Sequence, residues 1–284
     1  MPRHSSRHKN RPGDAYPFSL SSSANSLFDK RLEYAQQRAS QPPQVDLTAT
    51  TAPEITSLDA LLSMRMPDPQ WVIPALLPVG LTLLTGRLGV GKSWLALRLA
   101  LAIATNTPVL DHAPVSQGCV LYLGLEETRY RTRERAAKLL QGQLAPNSLN
   151  IADSWHPLAA GGLADIEDWL DGHETARLVV VDPLISVYAR SRSHQRYASK
   201  ERESPIMFPL KVIADMHQVA ILVIQHLEPA NTLDFAHDAG FASKATGSMD
   251  IADCTLLLKH ELETQETMLH VTGQHITEKA LKVF

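Results

Sequence analysis

The clearest chemistry in this 284-residue sequence lies in eight consecutive residues, Gly86-Arg87-Leu88-Gly89-Val90-Gly91-Lys92-Ser93. They satisfy the pattern G-x-x-x-x-G-K-[ST] in full, and the spacing has a physical purpose. Glycines let successive backbone N–H groups turn inward around phosphate oxygens, and a helix beginning there adds its positive dipole end. Lys92 reaches the β- and γ-phosphates of a bound nucleotide, and the Ser93 hydroxyl ligates Mg²⁺. Gly86, Gly89, Val90, Gly91, Lys92, Ser93 and Trp94 are the expected nucleotide-binding residues.

Two further carboxylate positions belong to the same chemistry. Asp182 ends the apolar run LVVVD, where a buried parallel strand emerges at the carboxyl edge of its sheet. Ligands of open α/β sheets bind at that edge, so Asp182 is the expected second holder of Mg²⁺ beside Ser93. Glu126-Glu127 follow VLYLGL directly. A carboxylate there either polarises an attacking water or begins the next helix, where acids favour the N-terminal dipole.

These groups need elements to carry them. LTLLT (81–85), CVLYLGL (119–125), LVVVD (178–182) and VAILVI (219–224) read as strands. Helices are expected over 92–105, 129–141 and 206–217, and further strands at 254–259, 268–272 and 280–283. Strands alternating with helices imply a parallel sheet between helical layers. Residues 1–57 differ: they hold six of the 18 prolines and few large aliphatics. Such a segment buries too little apolar surface to offset its backbone entropy. It is read as a disordered arm with a short helix around 27–39, ahead of one domain over 58–284.

Composition narrows the possibilities. With 27 Lys+Arg against 30 Asp+Glu the net charge is −3, so a uniformly basic nucleic-acid binder is excluded. The two cysteines, Cys119 and Cys254, form no disulfide framework and suit a reducing cytoplasm. The longest apolar run, 94–104, is broken by Arg98 and is too short to cross a membrane. The basic start has no apolar core behind it, so no secretory leader is expected. A cytoplasmic location follows as an expectation.

The segments GRLGVGKSWLALRLALAIATNTPVL and GCVLYLGLEETRYRTRERAAKLL, then VVVDPL, VIQH and SKATGSMDIAD in that order, carry a resemblance. Over about 68–284 the chain resembles the RecA-type ATPases related to the RepA hexameric replicative helicases of plasmids, and more distantly DnaB and KaiC. The resemblance implies a RecA-like α/β fold, with a mostly parallel central sheet flanked by helices and C-terminal antiparallel strands. It implies ATP and Mg²⁺ as cofactors, Glu126 as general base, and Gln225 and His226 as γ-phosphate sensors beside the catalytic Lys92. It also implies a homo-oligomer, a ring of six, acting on single-stranded DNA with a replication or mobile-element protein as partner. Trp71, in the segment leading to the first strand, either stacks on a nucleotide base or packs in the core.

The long polar connection after Asp182 contains Arg190, Arg192, Arg196, Lys200 and Arg202, opposed only by Glu201 and Glu203. It is either a surface loop or a grip on a nucleic-acid backbone. Pro229 and Gly273-Gln274-His275 replace basic residues common in relatives. Lys244, Lys259 and Arg192 are candidates for a cation donated between subunits. The alternatives to a helicase-type ATPase are a nucleotide-gated loader or scaffold without unwinding, and a degenerate ATP-binding protein.

Overall fold

The computed structural model describes residues 56–64, 70–110, 115–187, 204–226, 251–261, 264–274 and 276–283. The chain divides into two compact units, Met1–Arg65 and Met66–Phe284. In the first, helix α1 covers Leu58–Ser63, and the Ser57 hydroxyl accepts the Ala60 N–H at 3.2 Å near its start. The expected arm up to residue 55, with its helix at 27–39, lies outside the described residues. So does the basic connection carrying Arg190, Arg192, Arg196, Lys200 and Arg202.

The second unit opens on a small antiparallel pair, β1 (Trp71–Ile73) and β2 (Leu77–Pro78). The main elements follow in the alternation the apolar runs imply. They are β3 (Gly80–Gly86), α2 (Lys92–Thr105), β4 (Cys119–Gly124), α3 (Arg129–Leu140), β5 (Leu149–Ala152), α4 (Gly162–Asp171), β6 (Ala176–Asp182), α5 (Ser204–His217) and β7 (Ala220–His226). Strands β8 (Cys254–Glu261), β9 (Glu266–Gly273) and β10 (Ile276–Lys282) close the chain. Among the described residues they build an eight-stranded sheet in the order β10-β9-β8-β3-β7-β6-β4-β5. From β8 across to β5 every pairing is parallel, while β8–β9 and β9–β10 are antiparallel. The expected C-terminal antiparallel strands are present.

Strand β3 lies between β7 and β8 and is buried at all seven positions. Strands β7 and β6, the next two in the sheet, are similarly apolar, as parallel strands covered on both faces must be. Successive residues divide between two cores with the period of two that a strand imposes. Leu84, Leu178 and Val180 join one core with Leu95, Leu99 and Ile103 of α2. Leu83, Val179 and Val181 join the other with Ile166 of α4 and Leu210 and Ile213 of α5. Helix α2 is apolar almost all round because it is buried almost all round.

Besides the short α1, β1 and β2, two elements of the main sheet and its helices have no counterpart in the expectations from sequence. Strand β5, LNIA, is a four-residue edge strand and only half-buried, too short for periodicity to register. Helix α4 begins at Gly162, behind another glycine, which obscures its start although Ile166 and Leu170 are buried at helical spacing. Trp71 is corrected. It begins β1 beside the amino end of β3, where Val79 N–H donates to the Gln70 carbonyl at 2.9 Å. The phosphate loop leaves the other end of that strand, about 20 Å away at strand rise. Trp71 is therefore half-buried at the sheet's amino edge, far from the phosphate loop.

The entry of the chain into β3 is held by one carboxylate. Asp253 Oδ2 accepts the Leu81 N–H at 2.8 Å and the Lys211 ammonium at 2.9 Å, joining β3, α5 and the start of β8. Asp253→Ala would orphan a buried backbone donor and remove one partner of Lys211. A loss of about 1–3 kcal/mol is expected, measured by urea denaturation; unchanged stability would show that the contact is incidental.

Candidate nucleotide site

Parallel register delivers the functional groups to one edge. Gly86, the last residue of β3, pairs with His226 at the end of β7, and Gly124 at the end of β4 pairs with Asp182 at the end of β6. Glu126 follows Gly124 by two residues. Segments far apart in the chain thus end together at the carboxyl edge of one sheet.

The phosphate loop forms there because its glycines permit it. Gly86 has φ +155°, and a Cβ on it would collide with the carbonyl of Leu258 on β8. Gly91, with φ +107°, turns the chain into α2 as its N-cap without a capping side chain. The first-turn N–H groups of α2 are thereby left for an anion. Lys92 donates to the carbonyls of Gly86 and Arg87, both at 2.8 Å, so its ammonium is folded over the loop. Burial pushes it down to about 8, against the nearby Asp182 and Glu126 carboxylates, which hold it up.

Asp182 is nearly enclosed, with 8% of its surface exposed. Burial raises its pKa, while hydrogen bonds from the Tyr122 and Ser93 hydroxyls act the other way. The Tyr122 contact is short, Oη to Oδ2 2.6 Å, and its hydroxyl proton is held well above the usual phenol range by burial and by Asp182. A serine hydroxyl beside a buried carboxylate, with an ammonium held near by, is a donor set that fits Mg²⁺ together with a polyphosphate. Ser93 and Asp182 would hold the metal, and the loop amides and Lys92 the phosphates.

The sequence reading paired Glu126 with Gln225 and His226 by role, and the fold brings two of them into contact. His226 Nε2 lies 3.5 Å from Glu126 Oε2. Glu126 keeps 60% of its side chain exposed, as access to water requires, whereas Glu127 is held at 2.6 Å by Arg135. Neither acid begins α3, whose cap is Thr128; Glu127 is held by Arg135, and Glu126 is the carboxylate open to water. Gln225 is half-buried on β7 opposite Thr85.

Arg135 was missed. Arginines alternate along α3 at 129, 131, 133 and 135, yet the Arg135 side chain is only 14% exposed. Thr128 caps α3, and from that start Thr132, Arg135, Ala136 and Leu139 fall on its inner face at helical spacing. Its guanidinium carbon lies 5.1 Å from the Trp94 ring centroid, within cation–π range. The signal was available in the i, i+3, i+4, i+7 pattern once the cap was placed. Lys259, a candidate cation between subunits, lies on β8 opposite Met268; Lys244 and Arg192 lie outside the described residues.

A phosphate ligand favours the charged form of Lys92, so affinity depends on pH in a defined direction. Below about pH 8 the lysine is already protonated. Above that value binding must first add a proton, and nucleotide affinity should fall by about tenfold per pH unit. Isothermal titration calorimetry from neutral to alkaline pH checks this; a flat profile would contradict the placement of Lys92.

Known proteins share this geometry at the level of fold and family. No curated protein sequence matches the chain. The solved structure of an ATPase domain is similar, with a TM-score of 0.54 and 14% identity, covering 72% of this chain and 81% of that one. At that identity the likeness concerns the fold, which is RecA-like. Residues 46–231 match the AAA domain family, well over half of the chain. The phosphate-loop motif and the mostly parallel sheet that carries it agree with a P-loop ATPase, and the chain belongs to the AAA domain family.

Proposed function

We propose that the protein binds Mg-ATP at the loop 86–93 and hydrolyses it, acting on DNA as an oligomeric ATPase of the RepA replicative-helicase type. The observation that carries the reading is the convergence of Lys92, Ser93, Asp182 and the Glu126–His226 pair at one sheet edge. DNA as the substrate is supported by the resemblance in motif order and by the basic run from Arg190 to Arg202. The RecA-like fold favours a ring, because such sites are completed by a neighbouring subunit.

In this mechanism the loop amides and Lys92 bind the phosphates and neutralise charge as it develops. Mg²⁺, when bound, screens the β- and γ-phosphate oxygens. Glu126 accepts a proton from the attacking water. His226, at 3.5 Å from Glu126, is placed to exchange that carboxylate for a phosphate oxygen. Its engagement with phosphate frees Glu126 for the water, and phosphate release restores the pair. The sensing role of β7 follows from this exchange.

The test combines three variants with one substrate comparison. Lys92→Ala should abolish nucleotide binding. Glu126→Gln should bind ATP normally and lose about 10²–10⁴ in turnover; normal hydrolysis would remove Glu126 as the base. Single-stranded DNA should stimulate the wild-type ATPase, and the stimulation should vanish when Arg192, Arg196 and Arg202 become Ala. Turnover indifferent to DNA, with assembly that responds to ATP by mass measurement, would instead establish a nucleotide-gated scaffold.

A further inference from the structure

Strand β4 carries a tyrosine among aliphatic residues, and the register of the sheet explains where its hydroxyl goes. Residues two apart on a strand share a face. Tyr122 pairs with Val180 of β6, and Gly124 pairs with Asp182. Tyr122 and Asp182 therefore lie on one face of the sheet, on adjacent strands and offset by two residues. The position directly opposite Asp182 carries no side chain. A Cβ on Gly124 would stand 3.2 Å from Tyr122 Cε1. The glycine thus leaves open the space through which the phenol leans toward Asp182.

The hydroxyl ends between the two residues placed to hold Mg²⁺. Tyr122 Oη donates to Asp182 Oδ2 at 2.6 Å and lies 3.5 Å from the Ser93 carbonyl oxygen. The tyrosine is buried in the core that α2 covers. Packing alone asks only for a phenylalanine there, because a buried hydroxyl is costly unless it finds a partner. Asp182 is that partner, and the bond acts on it in turn. The terminal torsion of an aspartate is otherwise broad. With Oδ2 bonded to Tyr122 the rotation of the carboxylate is fixed, and one of its two oxygens is already engaged.

We infer that Tyr122 is a positioning residue for the metal: its hydroxyl fixes the Asp182 carboxylate before Mg²⁺ arrives and leaves it a single oxygen. The inference rests on the reading that Ser93 and Asp182 hold Mg²⁺. Preorganisation of this kind raises affinity, because the carboxylate is ordered by folding rather than by binding. Loss of an outer hydrogen bond to a metal-holding group typically lowers metal affinity by about 10–100-fold. Ligation through one oxygen also suits Mg²⁺, which keeps several waters and takes only one or two carboxylates.

ATP binding to the full chain, measured by calorimetry with excess Mg²⁺ and again with EDTA, isolates the gain in affinity due to the metal. Tyr122→Phe keeps the ring and should lower that gain by about tenfold or more, with affinity in EDTA changed less than about twofold. Made in an Asp182→Asn background, the same change should alter the remaining gain by less than about twofold, because the two residues act as one unit. Equal losses with and without metal, an unchanged gain in Tyr122→Phe, or additive losses in the double variant would overturn the proposal. If Tyr122→Phe does not fold by circular dichroism, Gly124→Ala decides. Its methyl crowds the ring at 3.2 Å and must lower the gain likewise, and a full gain there would overturn the proposal. Wild-type protein that binds ATP equally with and without Mg²⁺ would overturn the placement of the metal at Ser93 and Asp182, and this proposal with it. A wild-type gain that Tyr122→Phe retains overturns the role of Tyr122 alone.

Discussion

Strand β3 is hydrogen-bonded to parallel neighbours on both sides and buried on both faces, and the rest of the site depends on that confinement. A central strand so held cannot slip, because a shift of one residue would exchange its two faces. Its final residue is therefore set against Leu258 of β8 and opposite His226 of β7, leaving the phosphate loop no freedom in where it begins. Helix α2 is fixed in the same way by its apolar surface over the sheet. The loop is an adaptable segment between two elements that do not adapt.

Burial acts on the two key charges in opposite directions. It pushes the Lys92 ammonium down to about 8 and raises the Asp182 carboxyl, so each is biased toward its neutral form. Both remain hydrogen-bonded, Lys92 to two loop carbonyls and Asp182 to Tyr122. Buried polar groups normally have such partners, since leaving them unmade is costly. Polyphosphate and metal offer stronger opposite charges to the same two groups, and the low local dielectric that disfavours each charge alone strengthens its interaction with a ligand.

Arg135 gives the outer side of the site its order. One guanidinium holds Glu127 and covers Trp94, so the two consecutive acids after β4 have different environments. Glu127 is engaged and Glu126 faces solvent near His226. Neighbouring residues of one type thus acquire separate roles through the position of a single helix. That position follows from the packing of Ala136, Leu139 and Leu140 of α3 against the core, which sets the rotation of the helix about its axis.

The phosphate loop, the strands that end in Asp182 and His226 and the helix from Lys92 to Thr105 were legible in the sequence by itself. Each is set by residues close together in the chain: glycine spacing, apolar runs, and helical or alternating periodicity. Strand β5 and helix α4 escaped because a half-buried four-residue edge and a glycine start weaken those local patterns. Trp71 left two alternatives open, stacking on a nucleotide or packing in the core, because its place in the sequence said nothing of which sheet edge it would occupy. The pairing of Glu126 with His226, the brace of Arg135 on Trp94 and the bond from Tyr122 to Asp182 were decided by tertiary structure. They depend on strand order and helix rotation, which arise when distant apolar faces are buried together and which no contiguous stretch of residues encodes.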